Sequence, residues 1–184
     1  MSESLKPGLI LFLLTVAAVF LLSAVYFITR EPIQNQRERQ KNAEMARLLP
    51  DAKTFEKIET VSGEASVGEV YAAYNKNGDK YGYLVFSEAS GFGGEIEILT
   101  AVEPDGVILS VCVIKSSETP GLGEKIKETA FTGQFNEKSS ALTVTSRSPG
   151  ENEIHAVTGA TISSRAMVSA VNAAIDYYNN HIKE

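Results

Sequence analysis

The sequence lacks the residue patterns of self-sufficient hydrolases and metalloenzymes. One cysteine and two histidines among 184 residues exclude an intramolecular disulfide and a zinc site built on several cysteines. The chain contains no H-E-x-x-H, no G-x-S-x-G and no paired carboxylate motif. We therefore predict neither a catalytic residue nor a metal ligand in this chain.

Positive charge is also scarce. The sequence has 17 Lys and Arg against 23 Asp and Glu, a net charge of −6. Nucleic-acid-binding proteins carry basic stretches interleaved with aromatic residues, and this chain has none. We expect no nucleic-acid partner. The single cysteine, Cys112, lies in the apolar run VILSVCVIK, which is typical of a small buried hydrophobic side chain.

Charge, proline and glycine are all missing from residues 9–28, LILFLLTVAAVFLLSAVYFI. A helix of this length spans about 30 Å, the thickness of the hydrocarbon core of a bilayer. The alternative is a cleaved signal peptide, but its apolar region is only about 7–15 residues long. No A-x-A-like cleavage site follows here. The run therefore predicts an uncleaved single-pass membrane anchor.

The anchor divides the chain into four predicted parts. Residues 1–8 form a short tail, 9–28 the transmembrane helix, 29–68 a membrane-proximal helix opened near Pro32 with a linker, and 69–184 the main domain. One basic residue, Lys6, precedes the span, and five follow it closely: Arg30, Arg37, Arg39, Lys41 and Arg47. By itself, this count would place the main domain in the cytoplasm.

Strand and turn signals dominate the main domain. Runs near residues 70–74 and 81–87 flank Asn77-Gly78, a hairpin signal. We predict further strands over 95–102, 107–115 and 142–146, with 107–115 central because it is the most apolar. Residues 51–68 read as irregular and 124–129 as a short helix. A final helix over 163–180 has an apolar stripe at Val168, Val171, Ile175 and Tyr178. The order predicts an α+β fold, an antiparallel sheet packed with helices.

The stretch TGATISS, residues 158–164, precedes this final helix with more hydroxyl groups than a cap requires. Unpaired N–H groups and the positive end of the dipole make a helix N-terminus suited to a phosphate. Gly159 would allow close approach to the backbone, with Thr161 beside the helix and Ser163 and Ser164 as extra donors. The simpler alternative is that Thr161 or Ser163 caps the helix.

Two motifs together carry a resemblance. Thr158-Gly159-Ala160-Thr161 follows, at long range, the loop ETPGLG at residues 118–123. The pair resembles the FMN-binding subunits of ion-pumping respiratory complexes, and among them the G subunit of the Rnf complex. The likeness extends to the anchor and to GFGGEIEILTAVEPDGVI. A related pattern occurs in the C subunit of the sodium-pumping NADH:quinone reductase.

The resemblance implies a cofactor and a role. FMN would be attached through a phosphoester to the Thr161 hydroxyl by a separate flavin transferase, with Thr158, Gly159, Ala160, Ser163 and Ser164 around it. The second loop would lie close to the flavin ring through Glu118, Thr119, Gly121, Leu122 and Gly123. The chain would relay single electrons between other Rnf subunits that couple ferredoxin and NAD⁺ to Na⁺ or H⁺ movement. Alone it would catalyse no complete reaction.

The resemblance also implies that the flavin domain lies on the extracytoplasmic side of the cell (inner) membrane, against the charge count. The sequence departs from the family pattern at two positions. His155 stands where the family usually has Asp, and Ser116 where it often has His. Two alternatives stay open: a component like the C subunit of the quinone reductase, and a membrane-tethered scaffold that carries no flavin.

Overall fold

The computed structural model describes residues 5–61 and 66–183. Its first element is one long helix, α1, Leu5–Leu48. At 1.5 Å per residue it is about 66 Å long, and the part starting at Pro7 is long and apolar enough to cross a membrane. The predicted span at 9–28 lies within it, and its apolar side chains are exposed. This fits a single-pass membrane protein.

Helix α1 does not break at Pro32, which lies inside it. The prediction of a second helix opening at Pro32 is therefore wrong. Proline removes one backbone hydrogen bond from a helix, but its fixed φ of about −65° is itself helical, so the chain continues. Residues 5–8 of the predicted tail are helical as well, while residues 1–4 lie outside the described part of the chain.

The chain divides into two compact units, Met1–Asn42 and Ala43–Glu184. The second contains a five-stranded antiparallel sheet in the order β1-β2-β3-β4-β5. The strands are Thr54–Ile58, Val67–Tyr74, Lys80–Ser90, Glu95–Val102 and Ile108–Lys115. With helices against this sheet, the predicted α+β fold is confirmed.

Turn chemistry sets the β2–β3 hairpin as predicted. The Asn75 Oδ1 atom accepts hydrogen bonds from the backbone N–H groups of Asn77 (2.8 Å) and Asp79 (3.0 Å). Gly78 has a positive φ of 84°, a conformation that causes no steric strain in a residue without a Cβ atom. The Asn-Gly signal therefore marked the turn correctly.

Two predictions about the sheet are wrong. Strand β1 lies within the stretch that we predicted to be irregular, of which residues 62–65 are outside the described part. Strand β5 is an edge strand rather than a central one. The chain covers this edge at the first residue of β5, because Ile108 donates to the Lys138 carbonyl and accepts from the Glu137 N–H, each at 2.8 Å. Covering an edge in this way protects its backbone groups from pairing with another chain.

Both faces of the sheet are covered in its middle, at strands β3 and β4. Helix α3, Thr161–Tyr177, packs on one face through Val168, Val171 and Ile175, as its stripe predicted. On the other face Leu99 packs with Met45 and other residues at the end of α1. Strand β4 therefore alternates between exposed and buried only at its first residues and is buried on both faces from Ile98 onward.

The remaining elements connect β5 to α3. They are a 3₁₀ turn at Gly123–Lys127, helix α2 at Thr129–Thr132, a second 3₁₀ turn at Gly133–Phe135, and strands β6, Thr143–Thr145, and β7, Glu153–His155, which pair in parallel. Helix α3 starts two residues earlier than predicted and passes into a π-helical turn at Tyr178–Ile182. Tyr178 is buried there and donates to the Pro104 carbonyl at 2.7 Å.

Cys112 is buried in the sheet, as predicted. Burial raises the pKa of its thiol to about 12, and only the thiolate reacts as a nucleophile. We expect no alkylation of the folded protein by iodoacetamide at pH 8 and complete alkylation after unfolding. Because the folded pKa is raised, the stability it contributes is present below about pH 9 and is lost as the pH rises towards 12. Rapid labelling of the folded protein would contradict this placement.

Candidate functional site

Three segments far apart in the sequence form one cleft of about 380 Å³. They are the turn between β3 and β4, the loop after β5, and the start of α3. This volume lies in the range of small-molecule sites. The described residues that line it are Phe92, Glu118, Thr119, Leu122, Gly123, Gly159, Ala160, Thr161, Ile162 and Ser163. The two motifs singled out in the sequence therefore meet in space.

Glu118 joins the three segments. Its carboxylate accepts a hydrogen bond from the Ser163 hydroxyl at 2.6 Å through Oε2 and another from the Gly93 N–H at 3.0 Å through Oε1. The side chain is only 5% exposed, so it lies in surroundings where such charge-assisted bonds are strong. Its own N–H donates to the Ser116 hydroxyl at 3.2 Å. Glu118 thus fixes the position of the start of α3 relative to both loops.

Thr161 is the first residue of α3, and the residue in the capping position is Ala160, with φ −131°. No side-chain hydrogen bond caps this helix. The alternative prediction that Thr161 or Ser163 is the N-cap is therefore wrong, since the Ser163 hydroxyl bonds to Glu118 instead. The Thr161 side chain is half-buried at the wall of the cleft.

The turn before α3 is held by Ser164 and Gly159. The Ser164 hydroxyl donates to the Ala160 carbonyl at 2.9 Å and accepts from the Val157 N–H at 3.0 Å. Gly159 has a φ of 81°, and a Cβ atom there would lie 3.1 Å from the Leu122 Cδ2 atom. The TGAT segment thus owes its shape to a buried serine and to a position that requires glycine.

The structure brings eight of the eleven predicted ligand-binding residues to the cleft: Glu118, Thr119, Leu122, Gly123, Gly159, Ala160, Thr161 and Ser163. It does not place Thr158, Gly121 or Ser164 among the lining residues. Thr158 is exposed in the turn, and Gly121 has a φ of 77° with open space around it. Ser164 is fully buried and supports the turn from behind.

Sequence reasoning missed two lining residues, Phe92 and Ile162. Phe92 lies at the tip of the β3–β4 turn, between Gly91 and Gly93. Ile162 directly follows Thr161. Both are large apolar side chains with more than half of their surface exposed, 71% for Phe92 and 52% for Ile162. The sequence did contain a signal for Phe92. An aromatic residue among three glycines has no neighbouring side chain that could bury its ring, so an exposed ring available to a ligand could have been predicted.

Glycines keep the segments close together. A Cβ atom on Gly91 or Gly123 would overlap the Glu118 carboxylate, and one on Gly93 would overlap the Ser117 carbonyl. Overlap with a backbone carbonyl cannot be relieved by turning a side chain. The glycines therefore serve close packing of the loops around Glu118.

We expect Gly93→Ala to lower the free energy of unfolding by about 1–3 kcal/mol, the usual cost of overpacking, and to disturb the cleft. Gly133→Ala is the matched control, because a Cβ there meets nothing within 4 Å and the backbone is helical. The control should be neutral or stabilising by up to about 1 kcal/mol. Denaturant unfolding of the two variants tests this. Equal stabilities would mean that the close approach at Gly93 is unimportant.

The two residues that depart from the family pattern do not line the cleft. His155 is exposed on β7, and its backbone N–H donates to the Gln134 Oε1 atom at 2.7 Å. Ser116 instead supports Glu118 directly. Among the residues that the structure describes, no group of three or more His, Cys, Asp or Glu side chains could hold a metal ion.

Comparison with known proteins adds independent findings. Residues 91–176 match the family model of the FMN-binding domain, and residues 1–47 match that of the RnfG N-terminal region. The crystal structure of Shewanella oneidensis NqrC superposes with a TM-score of 0.56 at 20% identity, covering 71% of this chain and 70% of that one. The C subunit of the Na(+)-translocating NADH-quinone reductase from Parabacteroides distasonis gives 0.56 at 21% identity, covering 70% and 76%. These two likenesses concern the fold alone.

Two relatives match over most of their length. The G subunit of the Na(+)-translocating ferredoxin:NAD(+) oxidoreductase complex of Acetobacterium woodii is 34% identical over 190 residues, covering 95% of this chain and 91% of the relative. The G subunit of the proton-translocating ferredoxin:NAD(+) oxidoreductase complex of Clostridium ljungdahlii is 39% identical over 158 residues, covering 85% and 81%. This chain therefore belongs to the family of G subunits of Rnf-type ion-translocating oxidoreductase complexes.

Proposed function

We propose that this chain is the FMN-carrying electron-transfer subunit of a membrane-bound, ion-translocating ferredoxin:NAD⁺ oxidoreductase, with other Rnf subunits as partners. The observation that carries the proposal is the cleft, in which the TGAT turn and the ETPGLG loop lie against each other. Family membership supports it. The domain would comprise residues 69–184, with 9–28 as the span and 29–68 between them.

FMN is held covalently at Thr161 in this proposal. The Thr161 oxygen would form a bond to the FMN phosphorus while the bond from that phosphorus to the donor's leaving group breaks. The leaving group departs with the Thr161 proton, and the chain gains FMN minus one water. The residues present fit this role. Thr161 lines the cleft, and its side chain makes no capping bond that attachment would break. A flavin transferase is the partner that the reaction requires.

The residues of the cleft bind and orient the flavin. Bound FMN supplies one-electron chemistry, which amino acid side chains do not provide. Leu122 offers an apolar contact to the ring, and Gly159, which lines the cleft without a side chain, leaves its backbone open to the ligand. Glu118 holds both loops in place, so that the ring is positioned for electron exchange with neighbouring subunits.

The flavin domain lies on the extracytoplasmic side of the cell (inner) membrane in this proposal, where the transferase works. To test this, Asn77→Cys places a thiol in the exposed β2–β3 turn, and intact cells are treated with a membrane-impermeant maleimide. Labelling of the variant and not of the wild type, whose Cys112 is buried, is the expected result. Labelling only after cell lysis would place the domain in the cytoplasm. This is the orientation that the five basic residues after the span favour.

Two other functions predict different results. A component like the C subunit of a quinone reductase would also carry flavin, but the relatives that match over most of the chain are G subunits. A scaffold would carry none. After co-expression with a flavin transferase, the denatured protein band should fluoresce under ultraviolet light. A dark band beside a fluorescent control substrate would favour the scaffold.

A further inference from the structure

The start of α3 lies against a negative side chain, Glu118, where a phosphate site would need a positive one. Of the described residues that line the cleft, Glu118 is the only charged one. It contacts α3 through the Ser163 hydroxyl at 2.6 Å and is 5% exposed. A helix N-terminus is equivalent to about +0.5 of a charge, which one carboxylate more than offsets. The cleft is therefore a poor site for a free phosphate group.

The basic residues that follow the cleft segments in the sequence do not change this balance. Arg165 lies one turn after Thr161, but it lines a separate groove beside β6, with Thr143 and Val144. Lys125 is exposed, and Lys127 pairs with Glu124 at 2.9 Å. Neither lysine lines the cleft. Exposed charges of this kind contribute little to binding because water and salt screen them.

Exposed apolar side chains are concentrated around the cleft. In the described part of the chain after the anchor helix, four large apolar side chains are strongly exposed: Val61, Phe92, Leu122 and Ile162. All except Val61 line the cleft, with exposures of 71% for Phe92, 48% for Leu122 and 52% for Ile162. They come from the three different segments, so they surround one space that an uncharged aromatic ring would fill.

We propose that the cleft recognises the uncharged flavin ring through Phe92, Leu122 and Ile162 and makes no favourable contact with the phosphate. The covalent bond at Thr161 would then hold the phosphate in place against the Glu118 charge. This inference rests on the proposed function. It assigns to Phe92 and Ile162 the contact with the ring, and it makes the ligand class a neutral isoalloxazine rather than a flavin phosphate.

The test compares riboflavin with FMN as free ligands. The full-length Thr161→Ala chain, reconstituted in lipid nanodiscs, cannot form the covalent bond, and binding of each compound is followed by equilibrium dialysis. We expect riboflavin to bind at least as tightly as FMN. Glu118→Gln in the same background, which keeps an acceptor for the Gly93 N–H, should improve FMN binding relative to riboflavin by about fivefold.

A matched pair of truncations tests the ring contact. Phe92→Ala should weaken riboflavin binding by about tenfold, while Val61→Ala, which truncates another exposed apolar side chain that lies outside the cleft, should leave it unchanged. FMN binding tenfold tighter than riboflavin would overturn the proposal, and so would binding of neither compound up to the solubility limit of riboflavin. Failure of the proposed function would be seen elsewhere, as an unmodified wild-type chain after co-expression with the transferase.

Discussion

Replacement of Thr161 by valine should abolish covalent flavin while leaving the fold intact. Valine keeps the branched shape and loses only the hydroxyl. Because Ala160 occupies the capping position and no side-chain hydrogen bond caps α3, the usual loss of about 1 kcal/mol for a removed cap does not apply. We expect the free energy of unfolding to change by less than about 0.5 kcal/mol, with flavin fluorescence on a denaturing gel falling to background.

Thr158→Ala is the control for this variant. Thr158 belongs to the same motif and is exposed, but it does not line the cleft. The Thr158→Ala variant should retain most of the covalent flavin of the wild type under identical expression. Flavin that survives denaturation in the Thr161 variant, or an equal loss in both variants, would refute Thr161 as the attachment point.

Glu118→Leu should have the largest effect on the domain itself. Leucine has about the volume of the glutamate side chain but accepts no hydrogen bond, so the Ser163 hydroxyl and the Gly93 N–H lose their partner in a buried place. An unpaired buried polar group costs about 1–3 kcal/mol. For the two groups we expect the free energy of unfolding to fall by about 2–6 kcal/mol. The yield of covalent flavin should also fall, because Glu118 no longer joins the β3–β4 turn, the loop after β5 and the start of α3.

Glu118→Gln separates hydrogen bonding from charge. Its amide oxygen can still accept from Gly93, and the Ser163 hydroxyl can turn to accept from its amide nitrogen. The loss of stability should then be less than about half of that for leucine. Denaturant midpoints followed by circular dichroism on the full-length chain in detergent provide the measurement. Equal midpoints for wild type and Glu118→Leu would mean that the carboxylate does not join the segments.

Local chemistry explains what the sequence predicted correctly. The Asn75–Asp79 turn depends on side-chain hydrogen bonds within five residues, and the α3 stripe on a helical period that packs against any apolar sheet face. The anchor depends on length and hydrophobicity alone. Each of these signals lies within a short window, so a sequence shows it directly.

Long-range contacts explain the features that the sequence did not predict. The edge position of β5 depends on a strand-like contact between Ile108 and residues 137–138, about thirty residues away. Proline is accepted in the first turn of a helix and also, with the loss of one hydrogen bond, inside a helix. The residues around Pro32 do not distinguish these two positions. The bonds of Glu118 to Gly93 and Ser163 join positions that no local pattern connects. For the same reason Phe92, in a turn far before Glu118 in the sequence, was not expected in the cleft.

The most direct test of the account is the mass of the intact chain, purified from membranes after co-expression with a flavin transferase. We expect a gain of FMN minus one water, lost in Thr161→Val and mapped by fragmentation to the peptide that contains Thr161. An unmodified mass, with a control substrate modified in the same cells, would contradict the central claim, as would a flavin mapped to any other residue.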